Sequence, residues 1–390
     1  MKLTLTETKE LSLVVSQLKE GDLAKLIVKD GKAHICFMSI GSGVVGCLKL
    51  NATDVEGEEE TGLSFKVLKS LSRLSGNVEL FTTEKQIRIK NYGTTYRFAK
   101  TVADFDVATL DSIEATKVFE FEAPFKSFKA AVKVAKNFAN GLANAVFDGV
   151  YFEVENGALD IIATDTNYLS YFNFPVQGAP AEKKSFLLDK NSIQFLVNAI
   201  DVLGRGEIRV NDSSAIVTDG ESYIAIPQLF GEYPDAKGVV VTPFISEDAD
   251  KNFCRIKVLK EQIDNVVKAL KMVVDKDTHL PFKYELPAEE KEYFTIKRAY
   301  RNDEEDVGYV ETELFYEDIC KDYDKIITDE MFPLEPFARF ISPFKQDTEF
   351  TLFLPKQDAP VVVEDGRVMA GIGIFKDTFK GLAVTMPIRK

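Results

Sequence analysis

Histidine and cysteine are scarce in this chain, whose 390 residues include two histidines and four cysteines. His34 and His279 are far apart in the sequence, without a cysteine or histidine cluster near either. A histidine-based metal site or a Ser-His-Asp triad therefore has little support. No two cysteines form a C-x-x-C pair, so we expect reduced core residues of a cytosolic protein, not a zinc site or a disulfide, at Cys36, Cys47, Cys254 and Cys320.

Long apolar runs are absent as well. No segment approaches the roughly 18 consecutive apolar residues that a membrane helix needs. The N-terminal MKLTLTETKE is polar and lacks the apolar region of a secretory signal. Hydrophobic residues still make up 45% of the chain, enough for folded domains throughout, and the length favours two or three domains. These features predict a soluble cytoplasmic protein.

Basic residues are in deficit. Lys and Arg number 48 against 62 Asp and Glu, which gives a formal net charge of −14. Proteins that coat nucleic acid are usually basic overall, so the average charge argues against DNA binding. It leaves open an enzyme with an acidic, metal-dependent active site, such as a hydrolase, although no convergent set of carboxylates or histidines can be identified. A further alternative, an acidic DNA mimic, would carry negative stripes on its regular elements.

What the chain does contain is an internal repeat, which indicates an architecture rather than a catalytic pocket. Segments with alternating strand patterns run over Gly76–Asp106, Gly206–Asp235 and, more loosely, Asp347–Lys376, and each follows an apolar helical stretch. Three such groups predict three α+β domains, with linkers at Val107–Thr116 and Lys237–Asn252, the second of them extended. Helical periodicity occurs in six places: Glu7–Lys19, Ser64–Leu74, Pro124–Ala139, Asp189–Leu203, Val258–Val274 and Thr328–Ile341.

Lysines are concentrated along one side of some of these helices. In Pro124–Ala139 the apolar residues Phe125, Phe128, Val132 and Ala135 predict one buried face. Four lysines repeat the same spacing one position round, and no acidic residue interrupts them. A similar stripe accompanies the second helix, and a diluted one the fifth. A single stripe is usually a solvated face, but two clean stripes in so acidic a chain indicate a surface that could hold a polyanion. Lysine suits sequence-independent, salt-sensitive phosphate contacts.

The glycines Gly41, Gly43 and Gly46 match the pattern G-x-G-x-x-G of dinucleotide sites. That motif must open a helix after a strand. Here the residues on both sides, HICFMSI and CLKLN, read as strands. We therefore interpret the glycines as a connection between two strands, and there is no Walker A sequence.

Three segments, in the right order, resemble the bacterial β sliding clamps, the ring-shaped processivity factors of replicative DNA polymerases. Asn144–Ser170 resembles the start of the family's middle domain, Leu229–Ala236 the turn at its end, and Met386–Lys390 the family's terminal Met-Pro-Met-Arg-Leu. The family's Gly-His-Arg reads Thr166-Asn167-Tyr168 here, its last residue is Lys390, and the proline after the turn reads Val241. These departures indicate a divergent clamp, with a bacteriophage as one candidate source.

The resemblance implies an α+β fold of three repeated clamp domains, at residues 1–115, 116–243 and 244–390, each with two helices packed on antiparallel sheets. In the family two such chains join head to tail, and the ring encircles double-stranded DNA without catalysis or cofactor. A processivity factor with another oligomeric state remains an alternative. Helix residues would face the duplex, and the implied DNA contacts are Lys66, Lys69, Arg73, Lys126, Lys129, Lys133, Lys136, Lys268 and Lys271.

The resemblance also implies a pocket through which the DNA polymerase, the clamp loader and other partners attach by short apolar peptides. For the subunit junction, residues near Leu71–Phe81 and near Val266–Val274 are expected. The expected location is the cytoplasm at the replication fork, or the host cytoplasm for a phage protein. By matching position, the pocket would include Phe147, Thr164, Thr166, Asn167, Tyr168, Leu169, Val241, Pro360, Val361, Met386, Pro387, Ile388 and Arg389.

Overall fold

The structure is a computed structural model that describes residues 1–107, 112–123, 125–142, 144–272, 281–285, 292–301, 306–319, 323–327, 332–357, 369–376 and 379–385. The chain forms two compact units. Unit 1 comprises Met1–Lys126, Val154–Gly157 and Val176–Leu229, and unit 2 comprises Ser127–Glu153, Ala158–Pro175 and Phe230–Lys390. The division into three clamp domains stays a prediction.

The described residues contain eight α-helices. Six of them lie within the segments whose periodicity predicts a helix, so those predictions are confirmed. None of the eight is long and apolar enough to cross a membrane. The helices are α1 (Lys9–Gln17), α2 (Phe65–Leu71), α3 (Lys126–Phe138), α4 (Ile193–Leu203), α5 (Thr242–Ile245), α6 (Ala249–Asn252), α7 (Lys260–Met272) and α8 (Glu335–Ile341).

Unit 1 contains two antiparallel sheets. The strand order is β5-β1-β7-β8-β9 in the smaller sheet and β10-β15-β16-β17-β4-β3-β2-β6 in the larger one. Helix α1 packs on α2 and on α4. The strands are β1 (Lys2–Leu5), β2 (Leu23–Lys29), β3 (Lys32–Met38), β4 (Val45–Lys49), β5 (Ala52–Glu56), β6 (Glu59–Gly62), β7 (Val78–Thr82), β8 (Gln86–Asn91), β9 (Thr94–Ala99), β10 (Thr116–Glu122), β14 (Lys184–Asp189), β15 (Arg205–Val210), β16 (Ser214–Thr218) and β17 (Tyr223–Pro227).

Unit 2 is built around strands in the order β11-β12-β13-β26-β25-β24-β18-β22, with a second sheet in the order β21-β20-β19-β23. Helix α7 packs on α8, and α8 lies on β26. The strands are β11 (Gly149–Glu155, which runs on into unit 1), β12 (Ala158–Thr164), β13 (Tyr168–Pro175), β18 (Phe253–Leu259), β19 (Pro281–Glu285), β20 (Tyr293–Arg301), β21 (Asp306–Phe315), β22 (Asp318–Ile319), β23 (Phe332–Pro333), β24 (Glu349–Pro355), β25 (Ala370–Lys376) and β26 (Phe379–Thr385).

Alternating burial explains why these segments are strands. In β8 the pattern is alternately exposed and buried, with Ile87 and Ile89 in the core, as expected for a strand with one solvated face. The glycine-rich segment Gly41–Gly46 connects β3 to its antiparallel partner β4, so its interpretation as a strand connection is confirmed. His34 lies in β3, within the same pair.

The structure contradicts two predictions, one about the cysteines and one about the second linker. Cys36 and Cys47, which we expected to be reduced, face each other across β3 and β4, with Cα atoms 4.0 Å apart, and form a disulfide. Cys254 is disulfide-bonded as well, and Cys320 lies outside the described residues. The separation of eleven residues between Cys36 and Cys47 gave no sign that a hairpin would pair them. The segment Lys237–Asn252 is not extended either. It forms a π-helical turn at Lys237–Val241 followed by α5 and α6, because Val241 and Phe244 are buried in an apolar cluster of unit 2.

Candidate nucleic-acid interface and partner cavity

Helix α2 and the turn that follows it expose three of the nine residues predicted to contact DNA, with Arg73 two residues beyond the helix. Ser64 caps its first turn by accepting a hydrogen bond from the Val67 amide at 3.4 Å. Val67, Leu68 and Leu71 are buried against unit 1, which turns Lys66, Lys69 and Arg73 toward solvent.

Helix α3 has a wide apolar face. Phe128, Val132, Ala135 and Phe138 are buried, and the Phe128 ring lies 6.4 Å from that of Phe152, between centroids. The predicted buried face is therefore present, except that Phe125 lies just before the helix and is half-buried. The lysines follow its border, where Lys126 and Lys133 are exposed and Lys129 and Lys136 are half-buried. Long lysine side chains can cover apolar surface in this way and keep the ammonium group in water.

Helix α7 exposes Lys268 and Lys271 opposite its buried residues Ile263, Val266 and Leu270. Lys260, at the start of the same helix, is different. Its side chain is buried, and its Nζ lies 2.5 Å from the carboxylate of Asp264. Lys260 is thus held inside unit 2, and only the later lysines of α7 face outward.

Several strand lysines are paired with carboxylates, in contrast to the exposed cations of the three helices. Lys49 lies 2.7 Å and Lys32 3.3 Å from Glu221, and Lys117 pairs with Glu120. Such pairing neutralises the charge of these lysines. Within the described ranges, no carboxylate comes within 4.0 Å of the side-chain nitrogens of Lys66, Lys69, Arg73, Lys126, Lys133, Lys136, Lys268 or Lys271.

A cavity of about 310 Å³ lies wholly within unit 2. Six of the residues predicted for the partner pocket are brought together in its lining. The sequence analysis did not assign the other lining residues to the pocket, although the Leu229–Ala236 turn that it singled out contains three of them. The lining consists of Phe147, Thr164, Thr166, Asn167, Tyr168 and Leu169 together with Pro234, Asp235, Ala236, Val239, Val240 and Val384.

Val241 is not part of that lining. It is 0% exposed and belongs to the apolar cluster that also contains Leu169, Tyr171 and Val384. The π-helical turn instead presents Val239 and Val240, two residues and one residue earlier, to the cavity. The remaining residues predicted for the pocket lie outside the described residues: Pro360, Val361, Met386, Pro387, Ile388 and Arg389.

The turn between β12 and β13 shapes one wall of the cavity. Thr164 Oγ1 donates to the Tyr168 carbonyl at 2.7 Å and accepts from the Thr166 amide at 3.1 Å. Asp165 Oδ1 accepts from the amides of Asn167 and Tyr168 at 2.9 and 2.8 Å. Within this network Thr166 has φ = 79°, a left-handed conformation that favours glycine. The family resemblance places glycine at this position.

A charge network holds the start of the π-helical turn that contributes Val239 and Val240 to the cavity. Lys237, the first residue of the π-helical turn, pairs with Asp160 and lies 3.8 Å from Glu153. Asp160 also accepts hydrogen bonds from the Tyr171 hydroxyl at 2.8 Å and from Asn173 at 2.7 Å. Burial first, and then the charge of Asp160, raise the pKa of Tyr171. The hydroxyl is therefore a fixed donor that helps to hold the turn in place.

An aromatic cluster includes the lining residue Phe147. Tyr233 stacks on Tyr151 at 4.8 Å between ring centroids and meets Phe147 edge to face at 6.1 Å. Burial raises the pKa of Tyr233. The cavity is an apolar site with few polar groups, which is typical of ligand cavities. In the described part of the chain, no three His, Cys, Asp or Glu side chains are grouped so that they could hold a metal ion.

Comparisons with known proteins identify the fold. No protein-family model and no curated protein sequence matches the chain. Solved structures do. The DNA polymerase III beta subunit of Thermotoga maritima is 18% identical with a TM-score of 0.74, over 100% of this chain and 99% of that one.

Two further matches are the beta subunit of Pseudomonas aeruginosa, 14% identical with a TM-score of 0.75 and 100% of both chains covered, and the DNA polymerase sliding clamp of Bacillus subtilis, 13% identical with a TM-score of 0.73 over 100% of this chain and 99% of that one. Structural likeness along the whole chain, at identities this low, shows a common fold. The protein has the α+β fold of the DNA polymerase III beta subunits, the sliding-clamp fold.

Proposed function

We propose that this protein is a DNA sliding clamp, a non-catalytic processivity factor that encircles duplex DNA and tethers a DNA polymerase. The observation that carries the proposal is the segregation of charge within this fold. A chain with a net charge of −14 exposes cationic groups on α2, α3 and α7, while strand lysines such as Lys49 and Lys117 are paired with carboxylates. Lysines held this way suit loose phosphate contacts along which a ring can slide.

A ring requires a second copy of the chain, and the described surface offers a free edge for it. The residues expected at the junction are in part unsuitable, because Leu71, Val78, Leu80, Val266 and Leu270 are all buried. Strand β9, in contrast, is the last strand of its sheet, and its side chains are exposed on both faces except for the half-buried Phe98.

Such an edge is a template for another strand. We therefore place one side of the proposed head-to-tail homodimer at β9.

The cavity of unit 2 is the proposed attachment site for the polymerase and for a clamp loader. Its volume of about 310 Å³ suits one or two apolar side chains of a short peptide. Its walls are pre-formed by the hydrogen-bonded turn at Thr164–Tyr168 and by the anchored π-helical turn. Pre-formed walls lower the entropy cost of binding.

The deciding experiment measures retention on nicked circular DNA before and after linearisation, at about 150 mM salt, where direct phosphate contacts are already weakened. The assay is run with the protein alone and with a loader where loading requires one. Protein that stays on circles and leaves cut ends is held by topology. Equal retention on both forms would show direct binding and refute the ring, and absence from both, with a proven loader, would refute the clamp.

A further inference from the structure

The charged residues at the border of the cavity of unit 2 are acidic. Among the described lining residues only Asp235 is charged. Asp165 lies between the lining residues Thr164 and Thr166, and Glu232 is two residues before the lining residue Pro234. All three carboxylates are on exposed or half-buried residues. The cavity therefore combines an apolar interior with an acidic border.

Lys237 does not offset this border. Its ammonium group pairs with Asp160, whose side chain is 4% exposed, and has Glu153 as a second neighbour. A buried carboxylate that is deprived of its paired cation would be left uncompensated, which strongly destabilises a fold. Lys237, whose side chain is 35% exposed, is thus engaged by two buried carboxylates of unit 2.

The border carboxylates, by contrast, retain acceptor capacity. Asp235 Oδ1 accepts the Gly238 amide at 2.9 Å, and Asp165 Oδ1 accepts two amides. An ionised carboxylate has about four acceptor positions on two oxygens. The second oxygen of each residue can therefore bind an incoming ammonium or guanidinium group.

We propose that the cavity binds a peptide segment that inserts apolar side chains and places a lysine or arginine beside Asp235. The inference rests on the proposed role of the cavity and specifies the class of its ligand. Val239, 63% exposed at the mouth, provides apolar contact where the peptide enters. Charge complementarity at the border selects cationic over acidic segments and speeds their approach.

Two labelled nine-residue peptides with the same Leu-Ala-Phe core test the proposed ligand class. Two lysines flank the core in one peptide, and two glutamates flank it in the other. Binding to the full-length protein is measured by fluorescence polarisation at about 50 mM and 500 mM salt. An exposed ion pair changes an affinity by up to about fivefold, so the lysine peptide is expected to bind about fivefold more tightly at low salt. The ratio should fall at high salt as screening increases.

Asp235→Asn keeps the acceptor for the Gly238 amide and removes the charge, so it should reduce the ratio by about threefold. Asp189→Asn is the matched control. Asp189 caps the Asn191 and Ser192 amides in unit 1 in the same manner, and its replacement should leave the ratio unchanged. A third peptide, with lysine flanks and a Gly-Ser core, should not bind.

Equal affinities for the two flanks, or tighter binding of the glutamate peptide, would overturn the inference. Binding of the Gly-Ser peptide as tightly as the apolar one would also overturn it, because the attraction would then be a general effect of net charge. Failure of both apolar peptides would refute the cavity as a peptide site. The same protein preparations are tested on DNA circles, so a failed ligand class and a failed clamp give different results.

Discussion

The turns at Thr164–Tyr168 and Thr218–Ser222 have the same hydrogen-bond pattern, and Thr166 and Gly220 occupy the same position in them. In the second turn Thr218 Oγ1 donates to the Ser222 carbonyl and accepts from the Gly220 amide. Asp219 Oδ1 accepts the next two amides, as Asp165 does at the cavity. Gly220 has φ = 93° and Thr166 φ = 79°. Backbone strain held at a binding site is often functional, and here one chain provides both the strained and the relaxed form.

We expect Thr166→Gly to stabilise the protein. A left-handed conformation costs a residue with a Cβ about 1–2 kcal/mol, and glycine returns about 0.5–1 kcal/mol of that through its freedom in the unfolded chain. The net gain is about 0.5–1 kcal/mol, seen as a higher midpoint of thermal unfolding. Gly220→Thr should lower the midpoint, because a residue with a Cβ is strained in this left-handed conformation. A Cβ at this position would meet no neighbouring atom, so the measured change reports the backbone strain alone. A neutral result at both positions would contradict the argument.

Glu59 should make stability depend on pH. Burial raises the pKa of this carboxyl, but hydrogen bonds from Lys100, Thr61 and Thr82 together outweigh it and lower the pKa to about 2. A carboxylate with a lowered pKa stabilises the fold at neutral pH, and this contribution disappears as the pH falls from about 4.5 to about 2. Because the side chain is 23% exposed, we expect a discounted contribution of about 1–2 kcal/mol.

The measurement is the unfolding midpoint of the wild type and of Glu59→Gln between pH 7 and pH 2. The variant should be less stable at neutral pH, and the two curves should converge at low pH. Glu56→Gln is the control, because the Glu56 side chain is 68% exposed and its contact with Lys2 is long, at 3.4 Å. A Glu59→Gln curve parallel to the wild type throughout would contradict the assigned hydrogen bonds.

At the scale of elements, β9 is the strand on which the proposed dimer depends. The Lys100 amide donates to the Lys85 carbonyl of the β8 side, and inward and outward amides alternate along an edge strand. The Arg97 amide therefore points away from β8. Proline at an outward position leaves the sheet intact but removes a donor for a second chain.

Arg97→Pro should therefore reduce the mass in solution from two copies to one while the folded content stays the same. Light scattering after size exclusion gives the mass, and circular dichroism checks the fold. Arg97→Ala removes the same side chain but keeps the amide, so it should remain dimeric. If both variants stay dimeric, the interface lies elsewhere on the chain.

The lysines of α3 make a second prediction at this scale. Replacement of Lys126, Lys133 and Lys136 by alanine keeps helix propensity and should weaken the binding of linear duplex. The slope of log affinity against log salt should fall by about 0.9 for each phosphate that the variant no longer neutralises. Alanine at both Lys32 and Lys49, which pair with Glu221 on unit 1, serves as the control and should leave the slope unchanged.

The sequence predicts elements that form through contacts between residues close in the chain, and it does not predict features that depend on contacts between distant segments. Helices α3 and α4 are visible because an apolar face repeats every three to four residues. The cavity wall at Val239–Val240 is not, because Val241 is drawn into a core built from distant strands. Val384 reaches the cavity only because β26 pairs with β13 and places it opposite Leu169. The Cys36–Cys47 disulfide likewise depends on strand register.

At the scale of the whole molecule, a net charge of −14 is compatible with the proposed clamp role if two features share the work. Closure of the ring would hold the protein on DNA, and the helix lysines would only allow it to slide. A protein that stays on DNA by closure needs only weak phosphate contacts, and the excess negative charge limits binding of DNA to its other surfaces. Tight direct binding would instead slow sliding. The acidic composition thus supports a topological rather than an adhesive mechanism.

This separation predicts that the two classes of variant fail in opposite ways. The α3 triple-alanine variant should bind linear duplex more weakly yet, once loaded, remain on sealed circles as long as the wild type. Arg97→Pro should leave linear affinity per chain nearly unchanged and shorten residence on circles to that on linear DNA. Both quantities come from one filtration assay on matched circular and cut DNA at about 150 mM salt, where direct contacts are already weak. If either variant were defective in both properties together, holding and sliding would reside in the same contacts, and the closed ring would not explain retention.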